Sequence, residues 1–252
     1  MYQVDYNSYR SIKSFNRRSR FLVMHYTALN FEKSIQALTG DYVSAHYLVP
    51  NPDDPTYQDA GFSEVRIFNL VDELERAWHA GVSGWSGRNS LNDSSIGIEI
   101  VNEATDNQGT LSFPPYHPEQ INAVKALAIN ILQRYPDIAP THVVGHSDIA
   151  WQRKTDPGPA FPWKELYDAG VGAWYDEETK IKYIDQQIPE RTKILEKFKR
   201  YGYDISGAEE EENFQLLVKA FQMHFRQKCY DGILDIETVS ILQALVEKYF
   251  PE

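Results

Sequence analysis

The segment THVVGHSDIAWQRKTDPGPAFPW, Thr141 to Trp163, decides how the chain is read. Its first six residues, Thr141 to His146, read as a strand around the apolar pair Val143 and Val144, and that strand delivers His146 at its end. Behind it Lys154 stands two places before Asp156. Pro157, Pro159 and Pro162 then restrict the backbone. A solvated loop needs none of this. A site that holds ligands rigidly beside one cation needs all of it.

Working outward, Phe21–Met24 is a short continuous apolar run, as expected of a central strand covered on both faces. Phe31–Leu38 reads as a short helix, and His46–Val49 and Arg66–Val71 as further strands. In Ile96–Val101 the residues alternate, so that Ile96, Ile98 and Ile100 face one way and Gly97 and Glu99 the other. Pro118 opens a helix whose stripe is Ile121, Val124, Leu127, Ala128, Ile131, Leu132 and Tyr135, and Pro136 stops it. Strands interleaved with helices predict an α/β domain, a mixed β-sheet flanked by helices.

After about Tyr175 the character changes to charged helical sequence without strong strand signals. Ile194, Leu195 and Phe198 mark one helix ending near Gly202. Phe214 to Phe225 mark a second, and Thr238 to Tyr249 a third. The division expected is a catalytic domain over residues 1–177 and a small three-helix domain over 178–252. The acidic run Glu209–Glu212 suits the start of the second helix, where carboxylates favour the helix dipole.

The 252 residues suffice for a sizeable core, and 42% hydrophobic with 24% charged is the balance of a globular chain. A net charge of -11 argues against a nucleic-acid partner. Arg17, Arg18 and Arg20 read as a solvated edge. The single cysteine, Cys229, excludes an internal disulfide and a thiolate cluster, so a metal would be held by His, Asp or Glu. No apolar run approaches the roughly eighteen residues of a membrane span, and the first twenty residues lack the apolar core of a secretory signal. Either a signal has been trimmed away or the chain is made without one.

Three side chains sit where strands end or stiffen: His25 after FLVM, His146 after HVVG, and Asp156 ten residues later. Either histidine alone is more often a structural hydrogen-bonder than a ligand. Together, two imidazoles and a carboxylate make the three-ligand set of a catalytic zinc site with one position left open, with manganese or iron as alternatives. Glu99, an acid flanked by isoleucines, is either paired to a buried cation or a general base. Lys154 is either a surface lysine or a fixed cation for a carbonyl oxygen that turns anionic.

Four segments carry a family likeness: FLVMHYTA (21–28), VSAHYLVP (43–50), AWHAGVSGWSGRNSLNDSSIGIEIVN (77–102) and VVGHSDIAWQRKTDPGPAFPW (143–163). In this order they resemble the zinc-dependent type 2 N-acetylmuramoyl-L-alanine amidases, relatives of phage amidase lysozymes and animal peptidoglycan-recognition proteins, in their AmpD/AmiD branch. The resemblance implies one zinc ion at His25, His146 and Asp156, a catalytic carboxylate at Glu99 and transition-state stabilisation by Lys154. Phage relatives place a cysteine where Asp156 stands and a tyrosine where Ala45 stands, which leaves the proton work to Glu99. His46, beside the site in this pattern, is read as structural. The loop His79–Asp93 is by composition a flexible loop. By resemblance it lies over the substrate groove, with Arg88 meeting a peptide carboxylate and His79 and Trp85 lining the saccharide side.

The tail segments LEKFKRYGYDIS (195–206) and LVKAFQMHFRQKCYDGILDIETVSILQAL (217–245) are similar to a three-helix peptidoglycan-binding domain, the other reading being a bundle that only stabilises the first domain. The implied reaction is hydrolysis of the amide between N-acetylmuramic acid, or its anhydro form, and L-alanine of the stem peptide. The implied partners are muropeptides and the intact sacculus. Two rivals stand beside it: a non-catalytic recognition module, which would lack a metal ligand, and a cytoplasmic recycling amidase, which needs no wall-binding tail. Action in the periplasm or wall would demand specialised secretion if no signal precedes the chain, and a secreted effector would imply an immunity protein. A homo-oligomer is left open.

Overall fold

The computed structural model describes residues 2–14, 16–107 and 110–251. Strand β1 (Phe21–Tyr26) is followed by helix α1 (Phe31–Leu38), capped by the Asn30 side chain on the Lys33 N–H. Next come β2 (Tyr47–Val49), the short α2 (Pro55–Asp59), β3 (Phe68–Asn69) and a hairpin of β4 (Gly84–Trp85) and β5 (Arg88–Asn89). Then follow β6 (Ser95–Ile100), a second hairpin of β7 (Thr105–Asn107) and β8 (Thr110–Ser112), α3 (Pro118–Arg134), β9 (Val143–Gly145), α4 (His146–Ile149) and α5 (Trp163–Asp168). The chain closes with α6 (Glu177–Ile184), α7 (Arg191–Tyr201), α8 (Glu211–Phe225) and α9 (Ile236–Tyr249).

The main sheet has the order β3-β2-β6-β1-β9, parallel throughout except for the antiparallel edge strand β3. This is the mixed sheet flanked by helices that the sequence predicts. β1 lies at its heart, and Phe21, Leu22, Val23 and Met24 are all fully buried. Ile96, Ile98 and Ile100 are buried as the alternation requires. Between them Gly97 is obligatory, because a Cβ there would lie 2.6 Å from the ring of His79. Helix α3 buries Ile121, Val124, Leu127, Ala128 and Ile131, while Leu132 and Tyr135 are only partly covered. Burying such a face contributes roughly 1.5–3 kcal/mol per large side chain.

Three local expectations change. The strand at Arg66–Val71 shrinks to Phe68–Asn69, an edge with one neighbour to pair with. The strand at Thr141–His146 shortens to Val143–Gly145, because Pro140 starts a 3-10 turn over Pro140–His142 and His146 opens α4. Helix α6, absent from the sequence reading, buries none of its residues and so carries little apolar signal. It is held against α9 partly by Tyr183 donating to Glu247 at 2.6 Å.

The buried core does not stop at residue 177. Ile194, Phe198, Leu217, Phe221 and Leu245 belong to the same contiguous cluster as Phe21 and Ile98. Trp85 is edge-on to Tyr203 at 4.6 Å between ring centroids. Gly202, at φ +143°, leaves room for that indole, since a Cβ would come within 2.6 Å of it. Among the described residues, no helix is long and apolar enough to cross a membrane.

Candidate metal centre and active site

The parallel register sets His25 directly opposite Glu99 and Met24 opposite Gly145. His25, Glu99 and His146 therefore gather at the carboxyl ends of three adjacent strands, where open α/β sheets place their ligands. Asp156 arrives on the proline-rich loop, whose Asp156 carbonyl accepts from the Ser147 N–H at 2.8 Å. The same loop is held when Tyr116 donates to the Pro157 carbonyl at 2.8 Å. Gly145 admits this loop, for a Cβ there would lie 2.7 Å from the Pro157 ring.

His25 Nδ1 lies 3.0 Å from His146 Nδ1, and Asp156 Oδ2 lies 2.9 Å from the first and 3.0 Å from the second. All three residues are buried, with His25 at 1% exposure. The outer nitrogens fix what these atoms carry. His146 Nε2 faces the Ala80 carbonyl at 3.1 Å. The nearby Arg153 Nη2 spends its two hydrogens on the Ala80 and Val82 carbonyls, each at 2.7 Å, so His146 Nε2 bears a proton and its Nδ1 is bare. On the other side Ser95 Oγ donates to the Leu91 carbonyl at 2.6 Å, and accepts from His79 Nε2 at 3.0 Å. His79 Nδ1 is then an acceptor, and His25 Nε2–H donates to it at 2.9 Å. His25 Nδ1 is also bare.

Two imidazole lone pairs and a carboxylate oxygen thus point at one another across about 3 Å. That arrangement is repulsive unless a cation stands among them. Burial, then the neighbouring His146, lowers His25 to about 4, and burial takes His79 well below the ordinary histidine value, so the His25 and His79 rings stay neutral. Burial alone would raise the Asp156 carboxyl, but its neighbours His146, first, and His25 hold it below the ordinary range. Deprotonated Asp and neutral His are the ligand states a divalent metal requires. His25, His146 and Asp156 are also the group among the described residues whose donor atoms can share one ion.

Glu99 Oε1 is 4.0 Å from His25 Nδ1, and Glu99 Oε2 is buried without a hydrogen-bond partner. Burial first, and then Asp156, raise its carboxyl well above the usual range, with Lys154 opposing. A carboxyl with a raised pKa and one unoccupied oxygen beside a cation site is equipped to pick up and release a proton. Lys154 is half-buried on the same loop as Asp156 and close enough to act electrostatically on both His25 and Glu99.

Residues 15–159 match the family described as N-acetylmuramoyl-L-alanine amidase. The chain is 44% identical to the N-acetylmuramoyl-L-alanine amidase AmiD of Escherichia coli strain K12, over 98% of this chain and 89% of that protein. The chain belongs to the N-acetylmuramoyl-L-alanine amidase family. The amidase also superimposes on AmpDh3 from Pseudomonas aeruginosa in complex with anhydromuramic pentapeptide, with a TM-score of 0.97, 58% identity and 99% of both chains covered. On E. coli AmiD in complex with anhydro-N-acetylmuramic acid-L-Ala-D-gamma-Glu-L-Lys the TM-score is 0.88 at 43% identity, covering 100% of this chain and 96% of that one.

The amidase brings together His25, His146, Asp156, Glu99 and Lys154, and it adds His79 as a ring behind His25 instead of a saccharide contact. His79 is 8% exposed and held by its own N–H and that of Ala80 on Asn92 Oδ1. Trp85 is also corrected: 1% exposed, it donates its indole N–H to the Thr141 carbonyl at 2.9 Å and packs under α7. Arg88 is exposed in β5 beside Lys199 and Asp204 and acts on His142 at the start of β9, the end of the strand away from His146. The expected flexible loop is a hairpin seated on the C-terminal helices, since Trp85 also bridges to Tyr203. His46 is structural as expected, its Nδ1 accepting from the Gly97 N–H at 3.0 Å. The supporting residues Ser95, Asn92, Arg153 and Tyr116 carried no sequence signal, because each acts through a contact distant in sequence.

Proposed function

We propose that the amidase hydrolyses the amide joining N-acetylmuramic acid, in its anhydro or reducing form, to the L-alanine of peptidoglycan stem peptides, and that it uses zinc. The observation that carries this is the triangle of two bare imidazole nitrogens and one carboxylate oxygen, each about 3 Å from the others, beside the unpartnered Oε2 of Glu99. Two imidazoles and a carboxylate suit zinc, and three protein donors leave one position open. The carbonyls and rings behind the donors supply the supporting layer that such sites need. When bound, the ion supplies Lewis-acid polarisation and lowers the pKa of water.

Glu99 takes a proton from the attacking water at Oε2 and passes it to the amide nitrogen. The carbon–nitrogen bond breaks, leaving the lactyl carboxylic acid and the free amine of L-alanine. Lys154 offers an ammonium to the carbonyl oxygen as it becomes anionic, an effect worth on the order of 3 kcal/mol in comparable sites. Substrates of the kind named for the AmpDh3 and AmiD complexes support the anhydro form. The C-terminal helices, residues 178–252, hold the enzyme on polymeric wall, and action there places the amidase outside the cytoplasmic membrane. The presence of every ligand in the triangle favours catalysis over mere recognition.

Digestion of sacculi and of an anhydromuramyl tripeptide by wild type and by Glu99→Ala, with products read by mass, tests this. Free stem peptides from the wild type and none from the zinc-loaded variant are expected. A variant that still releases them removes Glu99 from the chemistry.

A further inference from the structure

Beside the site runs a groove of about 350 Å³. One wall carries Tyr26, Lys154 and Thr155, with Tyr26 Oη and Thr155 Oγ1 joined at 2.6 Å. The opposite wall is helix α8, which presents Leu216, Lys219 and Met223. These positions share a helix face by their spacing of three and four. The groove therefore lies between the proposed oxyanion cation and a helix that belongs to the C-terminal segment.

Its charge is the reverse of the chain's. The protein carries a net charge of -11, yet none of the described residues lining this groove is acidic. The Arg153 guanidinium is turned away, onto the Ala80 and Val82 carbonyls. That leaves two ammoniums facing the space, Lys154 and Lys219, and neither is ion-paired among the described residues. Elsewhere lysines at element junctions find carboxylates: Lys125 with Glu165, Lys180 with Glu177 and Lys248 with Asp176. Lys219 is half-buried, with Leu216 beside it 39% exposed, so an apolar ledge adjoins the free charge. A groove with a cation at each side and apolar surface between suits an extended peptide bearing a carboxylate.

We propose that Lys219 is a specificity residue that binds a carboxylate of the stem peptide, and that α8 forms the peptide wall of the active site. The C-terminal segment then contributes to substrate choice as well as to wall attachment. This rests on the amidase reading above. A stem peptide offers such a group in two places: the free α-carboxylate of a glutamate joined through its side chain, and the peptide's own C-terminus.

The test uses the full-length zinc-loaded protein and three muramyl peptides: the free acid, the form with the glutamyl α-carboxylate amidated, and the form with the C-terminus amidated. Wild type should favour the free acid over one amidated form by about five-fold in kcat/KM, as expected for a partly exposed ion pair. Which amide loses the preference identifies the carboxylate. Lys219→Met, which keeps the aliphatic stem, should raise KM for the free acid about five-fold, leave kcat within two-fold and abolish the preference. Lys219→Arg should retain it. A wild type that cleaves all three peptides equally, or a Lys219→Met protein that keeps the preference, overturns the subsite alone. A wild type that cleaves none overturns the amidase reading and the subsite with it.

Discussion

His224, on α8, donates its Nδ1–H to Asp148 Oδ2 at 2.7 Å, across 76 residues of chain and with both side chains buried. Asp148 lies two residues beyond His146, the proposed metal ligand. Its oxygens also accept from the Gly145 N–H at 2.7 Å and from Tyr203 Oη at 2.7 Å. The turn that presents His146 is thus held partly by groups from the C-terminal helices.

Tyr203→Phe should therefore cost stability even though it removes a single hydroxyl. Loss of one hydrogen bond to a buried carboxylate costs about 1.5–3 kcal/mol. Denaturant midpoints at unchanged slope should register it, and an unshifted midpoint would show that Asp148 is satisfied without Tyr203.

His79 stands behind His25 as the acceptor that keeps the His25 proton on Nε2. Removal of such supporting partners usually lowers metal affinity 10–100-fold. His79→Ala should weaken zinc binding in that range by chelator competition while the far-ultraviolet spectrum stays native. Wild-type affinity would assign the orientation of His25 to something else.

Gly97→Ala tests the same contact from the sheet side. The added methyl would lie 2.6 Å from the His79 ring, so ring or strand must shift. The expected outcome is a loss of zinc affinity resembling that of His79→Ala, with about 1–3 kcal/mol of destabilisation from overpacking. Unaltered affinity would mean that the ring relaxes without disturbing His25.

Acid should destabilise the fold partly through His46. Burial lowers its pKa below the ordinary 6.5, and its Nδ1 must stay bare to accept from Gly97. The unfolded chain then binds the proton more readily. The contribution is complete above about pH 6.5 and is lost as pH falls toward the folded-state value. Between pH 6.5 and 5 wild type should lose stability more steeply than His46→Asn, whose side-chain oxygen accepts without titrating. Parallel pH curves for the two proteins would remove His46 from the acid response.

The cluster of His25, His146 and Asp156 was legible because each member stands at a strand end or in a proline-stiffened loop, where residue type and spacing speak directly. The sheet was legible for the same reason: FLVM and IGIEI read as buried strands without help. Trp85 and His79 were misread because a Gly-, Ser- and Asn-rich segment looks like an open loop until Tyr203 and His25 are brought against it. Helix α6 escaped because its stability comes from docking on α9 and not from an apolar stripe of its own. The union of the two segments through Asp148, His224 and Tyr203 is a matter of buried polar pairing at long range, which periodicity does not encode.

On the proposed function, His25, His146 and Asp156 hold one divalent ion on which amide hydrolysis depends. Zinc content by mass spectrometry, measured with muramyl-peptide hydrolysis on the same preparations of wild type and His146→Ala, tests it most directly. One ion per wild-type chain is predicted, with ion and turnover lost together in the variant and turnover restored to chelator-stripped wild type by added zinc. Full hydrolysis by the metal-free protein, or stoichiometric tight zinc in His146→Ala, would contradict it.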